Sequence, residues 1–412
     1  MEHVSSLRCM ICGRDYGPGE VAYTCPHCGP EGILDVIYNY DRIGERFTRD
    51  LLAGRQERSI WRYAELLPIE PDVPHPPLQV GWTPLYHMEE LGRSLGCANL
   101  FIKNDGRNPT ASFKDRASAV GVVKAQEGSH SAIACASTGN AASSLAGIAA
   151  SVRLETVIFV PRTAPRAKVA QLLIHGARVF LVRGSYDQAF DLCREAAGRF
   201  GWYNRNTAAN PYLSEGKKTA ALEICEQLGW QPPDTVFVSV GDGCIIGGLW
   251  KGFHDLQRLG FIDRMPRLVG VQAQGCQPIK RAWETDRDVV TVTPDTLADS
   301  IAVGHPRDAL KALRAVRQSD GFMLAVSDEE ILQAMRLLAS RTGIFGEPAG
   351  VAGFAGLMQA LSRKQLAKDE RVVVVMTGHG LKDIDSALRA TRAPEEIDPT
   401  LEALVESMKG KE

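Results

Sequence analysis

Short apolar runs, each closed by a turn and followed by a helical stretch, recur along most of this chain and restrict its architecture more than any other feature. Residues 100–103, 132–136, 156–160, 178–182, 235–240, 268–271 and 372–375 read as strands. Between them, Ala117, Val120, Val123 and Ala125, and later Phe190, Cys193, Ala197 and Phe200, fall at helical spacing. Such alternation predicts an α/β fold with parallel sheet and helices on both faces. There is no internal repeat or low-complexity tract, and residues 395–412 read as a polar C-terminal helix that frays. Residues 39–60 are charged and read as helical, and Pro68, Pro71, Pro74, Pro76 and Pro77 read as an extended linker.

In an α/β protein the ligand belongs at turns that follow strands, and four such turns carry chemistry. The first is Asn108-Pro109-Thr110-Ala111-Ser112-Phe113-Lys114-Asp115-Arg116. A lysine after Phe113 in a small, polar turn suits a partly dry pocket, where desolvation lowers its pKa and frees a nucleophilic amine. Ser137-Thr138-Gly139-Asn140 offers two hydroxyls, an amide and helix-start N–H groups, a set that suits a small carboxylate and equally an ordinary N-cap. Gly241-Asp242-Gly243 precedes a helix and can present backbone N–H groups to a phosphate, although such turns also serve as packing glycines. Thr377-Gly378-His379-Gly380 sets a neutral hydroxyl at the end of the last strand. No G-x-G-x-x-G follows the first strand and no G-x-x-x-x-G-K-[ST] occurs, which argues against dinucleotides and nucleoside triphosphates.

Composition narrows the setting. A chain of 412 residues can hold two or more domains, and a net charge of -2 gives no electrostatic case for nucleic acid or an anionic membrane. The Met-Glu-His start lacks a secretory pattern and no apolar run is long enough to span a bilayer, so a cytoplasmic location is expected. Of ten cysteines, Cys9-x-x-Cys12 and Cys25-x-x-Cys28 have the spacing of a structural zinc site, and the other six are scattered singly. Ribbons of that kind often bind nucleic acid, but Arg8, Arg14, Asp15 and Glu20 form no basic stripe. His175, His254 and His305 lack metal-ligand partners at the right spacing, and Cys135, Cys193, Cys225 and Cys276 read as small core residues.

Together these motifs resemble the threonine synthase family of fold-type II pyridoxal-phosphate enzymes. The resemblance covers nearly the whole chain: the paired cysteines, Gly81-x-Thr83-Pro84-Leu85, the Lys114 turn, the Ser137 turn, Asn210-Pro211 before Glu215-Gly216-x-Lys218-Thr219, Gly241-Asp242-Gly243, Glu347-Pro348-Ala349 and Thr377-Gly378-His379-Gly380-Leu381-Lys382-Asp383. It implies a tryptophan synthase beta-like fold of two parallel-sheet α/β domains plus a small zinc ribbon. Residues 1–38 would form the ribbon, 39–116 with 207–412 the large domain, and 117–206 a small mobile domain. Lys114 would hold the cofactor through an imine and shuttle protons, Asn140 would bond the ring oxygen, and Ser137, Thr138 and Gly139 would cradle the substrate carboxylate. Gly241, Asp242, Gly243, Cys244 and Ile245 match the cofactor-phosphate turn, with the backbone of Cys244 mattering more than its sulfur, and Thr377 matches the residue facing the pyridine nitrogen. An uncharged hydroxyl there favours elimination and replacement over transamination.

The implied reaction converts O-phospho-L-homoserine and water to L-threonine and phosphate, in a homodimer. One departure stands out: many members grip the substrate phosphate with an Asn-Ser pair and an Arg, where this chain has Thr207, Ala208 and Leu213. An alkyl group does not replace a guanidinium on phosphate, so Arg205, Lys217, Lys218 and Lys382 become the candidate cations. The same departure keeps two enzyme alternatives open, a cysteate synthase-like enzyme using O-phosphoserine and sulfite and a threonine or serine dehydratase; from another class, a zinc-ribbon binding protein on an inactive scaffold is a further alternative.

Overall fold

The computed structural model describes residues 1–164 and 166–409. Three antiparallel strands open the chain, β1 (Val4–Cys9), β2 (Asp15–Tyr16) and β3 (Leu34–Tyr38), in the order β2-β1-β3. Next come β4 (Leu85–His87) and β5 (Leu100–Asn104). They are followed by β6 (Ala132–Ala136), β7 (Glu155–Pro161), β8 (Arg178–Val182) and β9 (Tyr203–Asn204). The last group is β10 (Thr235–Ser239), β11 (Arg267–Ala273), β12 (Phe322–Val326) and β13 (Val372–Met376).

These strands build two further sheets, a six-stranded one ordered β12-β11-β10-β13-β5-β4 and a four-stranded one ordered β8-β7-β6-β9. Every pairing in them is parallel except that of β4 with β5. The two central strands, β10 and β13, are buried along their full length, as strands covered by helices on both faces must be. Edge strand β8, in contrast, has no fully buried residue. From β10 the chain steps outward through β11 to β12 and then returns to β13 on the other side of β10. Such a reversal opens a crevice at the carboxyl ends of the strands.

The expected strands are present, and β12 is one that the sequence reading did not name. Residues 39–60 form two short helices, Tyr40–Gly44 and Arg49–Gly54, the second capped by the Thr48 hydroxyl. The proline-rich stretch differs from a free linker: Leu66, Leu67, Ile69 and Val80 are buried, because the preceding turn drives Ile60 and Tyr63 into the core. The C-terminal helix runs over Leu401–Lys409, and residues 410–412 of the expected helix lie outside the described residues. Among the described residues no helix is long and apolar enough to cross a membrane.

Candidate active site

Four helices begin at the crevice: Lys114–Glu127, Asn140–Ala150, Cys244–Arg258 and Pro348–Ser362. None has a side-chain cap, so their first N–H groups are left without the usual partner. Lys114 stands at the start of the first of these, half-buried, and among the described residues its amine has no hydrogen bond or ion pair.

The lysine turn is fixed by its own polar residues. Asp115 accepts from the Thr110 N–H (2.7 Å) and from the Thr110 hydroxyl, while the Asn108 side chain accepts from Gly81 N–H (2.8 Å) and donates to the Asp105 carbonyl (2.9 Å). Ala111 is forced into the left-handed region at φ 61°. Arg116 lies fully buried between Asp105 (2.6 Å) and Glu223 (2.5 Å), and Lys103 joins the same cluster through Glu223 (2.6 Å). Burial would raise the Glu223 carboxyl, but Arg116 and Lys103 overcome it and hold the group down at about 2. Gly81 is required at the edge of this cluster, since a Cβ there would lie 2.6 Å from Glu223 and its φ is 82°.

Backbone contacts then stitch the lysine turn to the end of β13. Phe113 N–H donates to the Thr377 carbonyl (2.8 Å), His379 N–H donates to the Ala111 carbonyl (3.0 Å), and Ser112 bridges Gly378. These contacts bring Thr377 beside Lys114, and both line one cleft with Phe113, Asn140, Gly241 and Cys244. Among the described residues the Thr377 hydroxyl has no hydrogen bond.

The glycine turn after β10 supplies the opposite wall. Gly243 sits at φ 100°, and a Cβ on it would lie 2.7 Å from the Asp308 carbonyl; one on Gly241 would lie 2.8 Å from the Ile301 Cα. Asp242 turns its carboxylate onto the Arg307 N–H (2.7 Å). Burial, with Asp308 nearby, pushes Asp242 up to about 6, which lessens its repulsion of an anion at the turn. The Cys244 sulfur lies within 4.8 Å of oxygens of Asp242 and Asp308.

Ser137, Thr138, Gly139 and Asn140 face a larger adjoining cavity of about 420 Å³, into which Lys114 also projects. The N-cap of the Asn140 helix is Gly139 rather than a hydroxyl residue. Ser137 Oγ accepts only from Gly139 N–H (3.3 Å), so the hydroxyls are not absorbed as a cap. The Asn140 amide donates to Glu347 (2.6 Å), a buried carboxyl raised by desolvation. Glu347 was quoted in the sequence only as part of a motif, and Ser300 and Val303, which also line the cleft, carried no local signal at all. His305 lies in the cavity wall with Thr291 (3.1 Å), whereas His254 stacks on Trp250.

This donor set fits pyridoxal phosphate: an unpaired amine, uncapped helix N–H groups for a phosphate, and a free hydroxyl across the cleft. Residues 77–378 match the family model described as pyridoxal-phosphate dependent enzyme. Over 98% of its length the chain is 41% identical to the threonine synthase of Methanocaldococcus jannaschii, covering 99% of that protein, and 40% identical to that of Methanosarcina acetivorans, again covering 99%. The fold is that of diaminopropionate ammonia lyase from Escherichia coli, at TM-score 0.64 and 20% identity over 75% of this chain and 86% of that one. Processed threonine deaminase isoform 2 from Solanum lycopersicum is similar at TM-score 0.63 and 22% identity, over 75% of this chain and 87% of that one. A match this complete, on a cleft with these donors, places the chain in the threonine synthase family of pyridoxal-phosphate-dependent enzymes.

Proposed function

We propose that this chain is a threonine synthase, converting O-phospho-L-homoserine and water to L-threonine and phosphate. One observation carries the reading: Lys114, the uncapped helix start at Cys244 and the free hydroxyl of Thr377 line a single cleft. Pyridoxal phosphate, when bound, supplies the electron sink that lets negative charge develop at the substrate Cα. Lys114, Asn140 and Thr377 would hold it, with the backbone of Gly241, Asp242, Gly243, Cys244 and Ile245 on its phosphate. Ser137, Thr138 and Gly139 hold the substrate carboxylate at the start of the Asn140 helix. The Lys114 amine removes the protons from Cα and Cβ; phosphate leaves from Cγ, which takes up a proton to become the methyl group, and water adds at Cβ as a proton returns to Cα.

Residues 117–206 act as the small mobile part, closing over the substrate so that water is kept out of the early steps. Their separate four-stranded sheet, with its exposed edge strand, supports that division. We place the working enzyme in the cytoplasm as a homodimer, the state the family resemblance implies and light scattering tests. Purified protein should release phosphate and threonine in equal amounts from O-phosphohomoserine. Cysteate from O-phosphoserine and sulfite, or 2-oxobutyrate or pyruvate in place of threonine, would replace this reading with one of its alternatives.

A structural zinc ion held by Cys9, Cys12, Cys25 and Cys28 is part of the same proposal. All four sulfurs lie within 4.8 Å of one another. Gly32 leaves room for this closeness, because a Cβ on it would come within 2.7 Å of Cys25 and 2.8 Å of Cys28. With four thiolates the coordination is closed, so the ion serves folding rather than chemistry. About one zinc per chain is expected by metal analysis. Chelation should loosen the β1–β3 sheet while the cofactor absorbance stays, and metal-free protein with that sheet intact would remove the site.

A further inference from the structure

Nine lysine and arginine residues are buried among the described residues, and seven of them have a carboxylate within 4.0 Å: Arg62, Lys103, Arg116, Lys124, Lys218, Lys251 and Lys311. Arg205 and Lys217 are the two that do not, and both are only 1% exposed. A buried charge is ordinarily paired, so an unpaired guanidinium in the interior marks the place of an absent anion.

Arg205 is the sharper case. Among the described residues its Nε has no hydrogen-bond partner, and its Nη2 meets only the Ser118 hydroxyl at 3.3 Å. The buried thiol of Cys135 also lies against it. Its backbone is fixed, because its own N–H donates to the Ala134 carbonyl (2.8 Å) in the middle of β6. Its stem packs with Leu213 over Gly121, where a Cβ would lie 3.2 Å from Leu213 and 3.8 Å from the Arg205 Cγ. Arg205 is part of the wall of the cavity that Lys114, Asn206 and Thr207 also line. Lys217 lies one helical turn beyond Leu213, on the same face of the Leu213–Gln227 helix. Burial lowers its pKa, Asp308 opposes that, and the cations Lys114 and Arg205 add to it.

The other two candidate cations are not in the wall of that cavity. Lys218 is held by Asp255 (2.6 Å) and Glu215 (2.7 Å), and Lys382 donates to Ser143 (3.2 Å) near the carboxylates of Glu347 and Asp115.

We propose that the Arg205 guanidinium, backed by Lys217, binds the phosphate group of the substrate and of the released product. This rests on the threonine synthase reading and names the residue that selects a phosphorylated substrate. The test is binding of inorganic phosphate to the holoenzyme by calorimetry, together with KM for O-phosphohomoserine, cofactor absorbance and thermal melting, in wild type, Arg205→Met and Arg205→Lys. Arg205→Met should weaken phosphate binding and raise KM by roughly tenfold or more. Cofactor content should be unchanged and the melting temperature should not fall, since an unpaired buried charge has been removed. Arg205→Lys, which keeps the charge without the fork, should lose severalfold in phosphate affinity, and it decides the matter alone if the Met variant does not fold.

Unchanged phosphate binding in both variants overturns the proposal. So does loss of cofactor in step with loss of phosphate binding, which would assign the guanidinium to the cofactor's phosphate instead. A wild-type holoenzyme that binds phosphate through Arg205 yet makes no threonine would void the threonine synthase reading and leave a phosphate subsite standing.

Discussion

Two turns of the same local design end strands in the two large sheets and behave differently. Gly241-Asp242-Gly243 after β10 is locked: a Cβ at either glycine would meet backbone at 2.8 Å or closer, and the strand before it is fully buried. Ser137-Thr138-Gly139 after β6 is open, with nothing nearer to a Cβ on Gly139 than the Ser300 hydroxyl at 3.8 Å. Both present uncapped helix N–H groups to the cleft. A site for a permanently held cofactor gains from rigidity, whereas one that admits and releases substrate needs slack. The contrast is the one that the proposed roles, cofactor at the first turn and substrate at the second, require.

The amine between the two turns should give the largest effect. Lys114→Ala is expected to lower turnover by about a thousandfold or more while leaving the melting curve in place, measured as threonine formed per holoenzyme. Full activity with an unaltered cofactor spectrum would separate the lysine from both turns.

The footing of the lysine turn comes next. Glu223→Gln breaks a fully buried cluster with Arg116 and Lys103 and should cost about 3–5 kcal/mol at neutral pH in chemical denaturation. The pH dependence has a definite sign. Since folding lowers the Glu223 pKa to about 2, its contribution is present above the unfolded carboxyl range near 4.5 and is lost as pH falls toward 2. The gap between wild type and variant should therefore narrow on acidification through that window; a constant gap would mean that charge pairing is not what holds the lysine turn.

The smallest effects test the comparison directly. Gly243→Ala forces a side chain into φ 100° and against the Asp308 carbonyl, and should cost about 2–3 kcal/mol together with cofactor retention. Gly139→Ala meets no clash and should change stability by less than about 0.5 kcal/mol, acting on substrate KM instead. Equal stability losses in the two variants would erase the distinction between a locked turn and an open one.

The legible parts of the molecule are those whose chemistry is local. Val372–Met376 is an unbroken apolar run before a glycine turn, and it is a central strand for that reason. Asn108, Thr110 and Asp115 fold their turn within eight residues of one another. Phe322–Val326 escaped because this five-residue apolar run passes straight into a helix at Ser327, with no glycine turn after it to mark a strand end. The two-residue strand β9 exists only because β6 lies beside it. Glu347 and Ser300 reach the cleft from loops far along the chain.

The sequence by itself determined the covalent chemistry available: a lysine in a polar turn, glycine turns before helices, a hydroxyl after the last strand, and four cysteines at metal spacing. It also named the cations that could meet a phosphate, but gave them equal standing. Only the tertiary structure decided among them, by bringing Asp255 to Lys218 and leaving Arg205 without a carboxylate. The reason is physical: in a poorly polarisable interior a charge is satisfied by whatever lies a few ångströms away through space, and that neighbour can be any distance away along the chain.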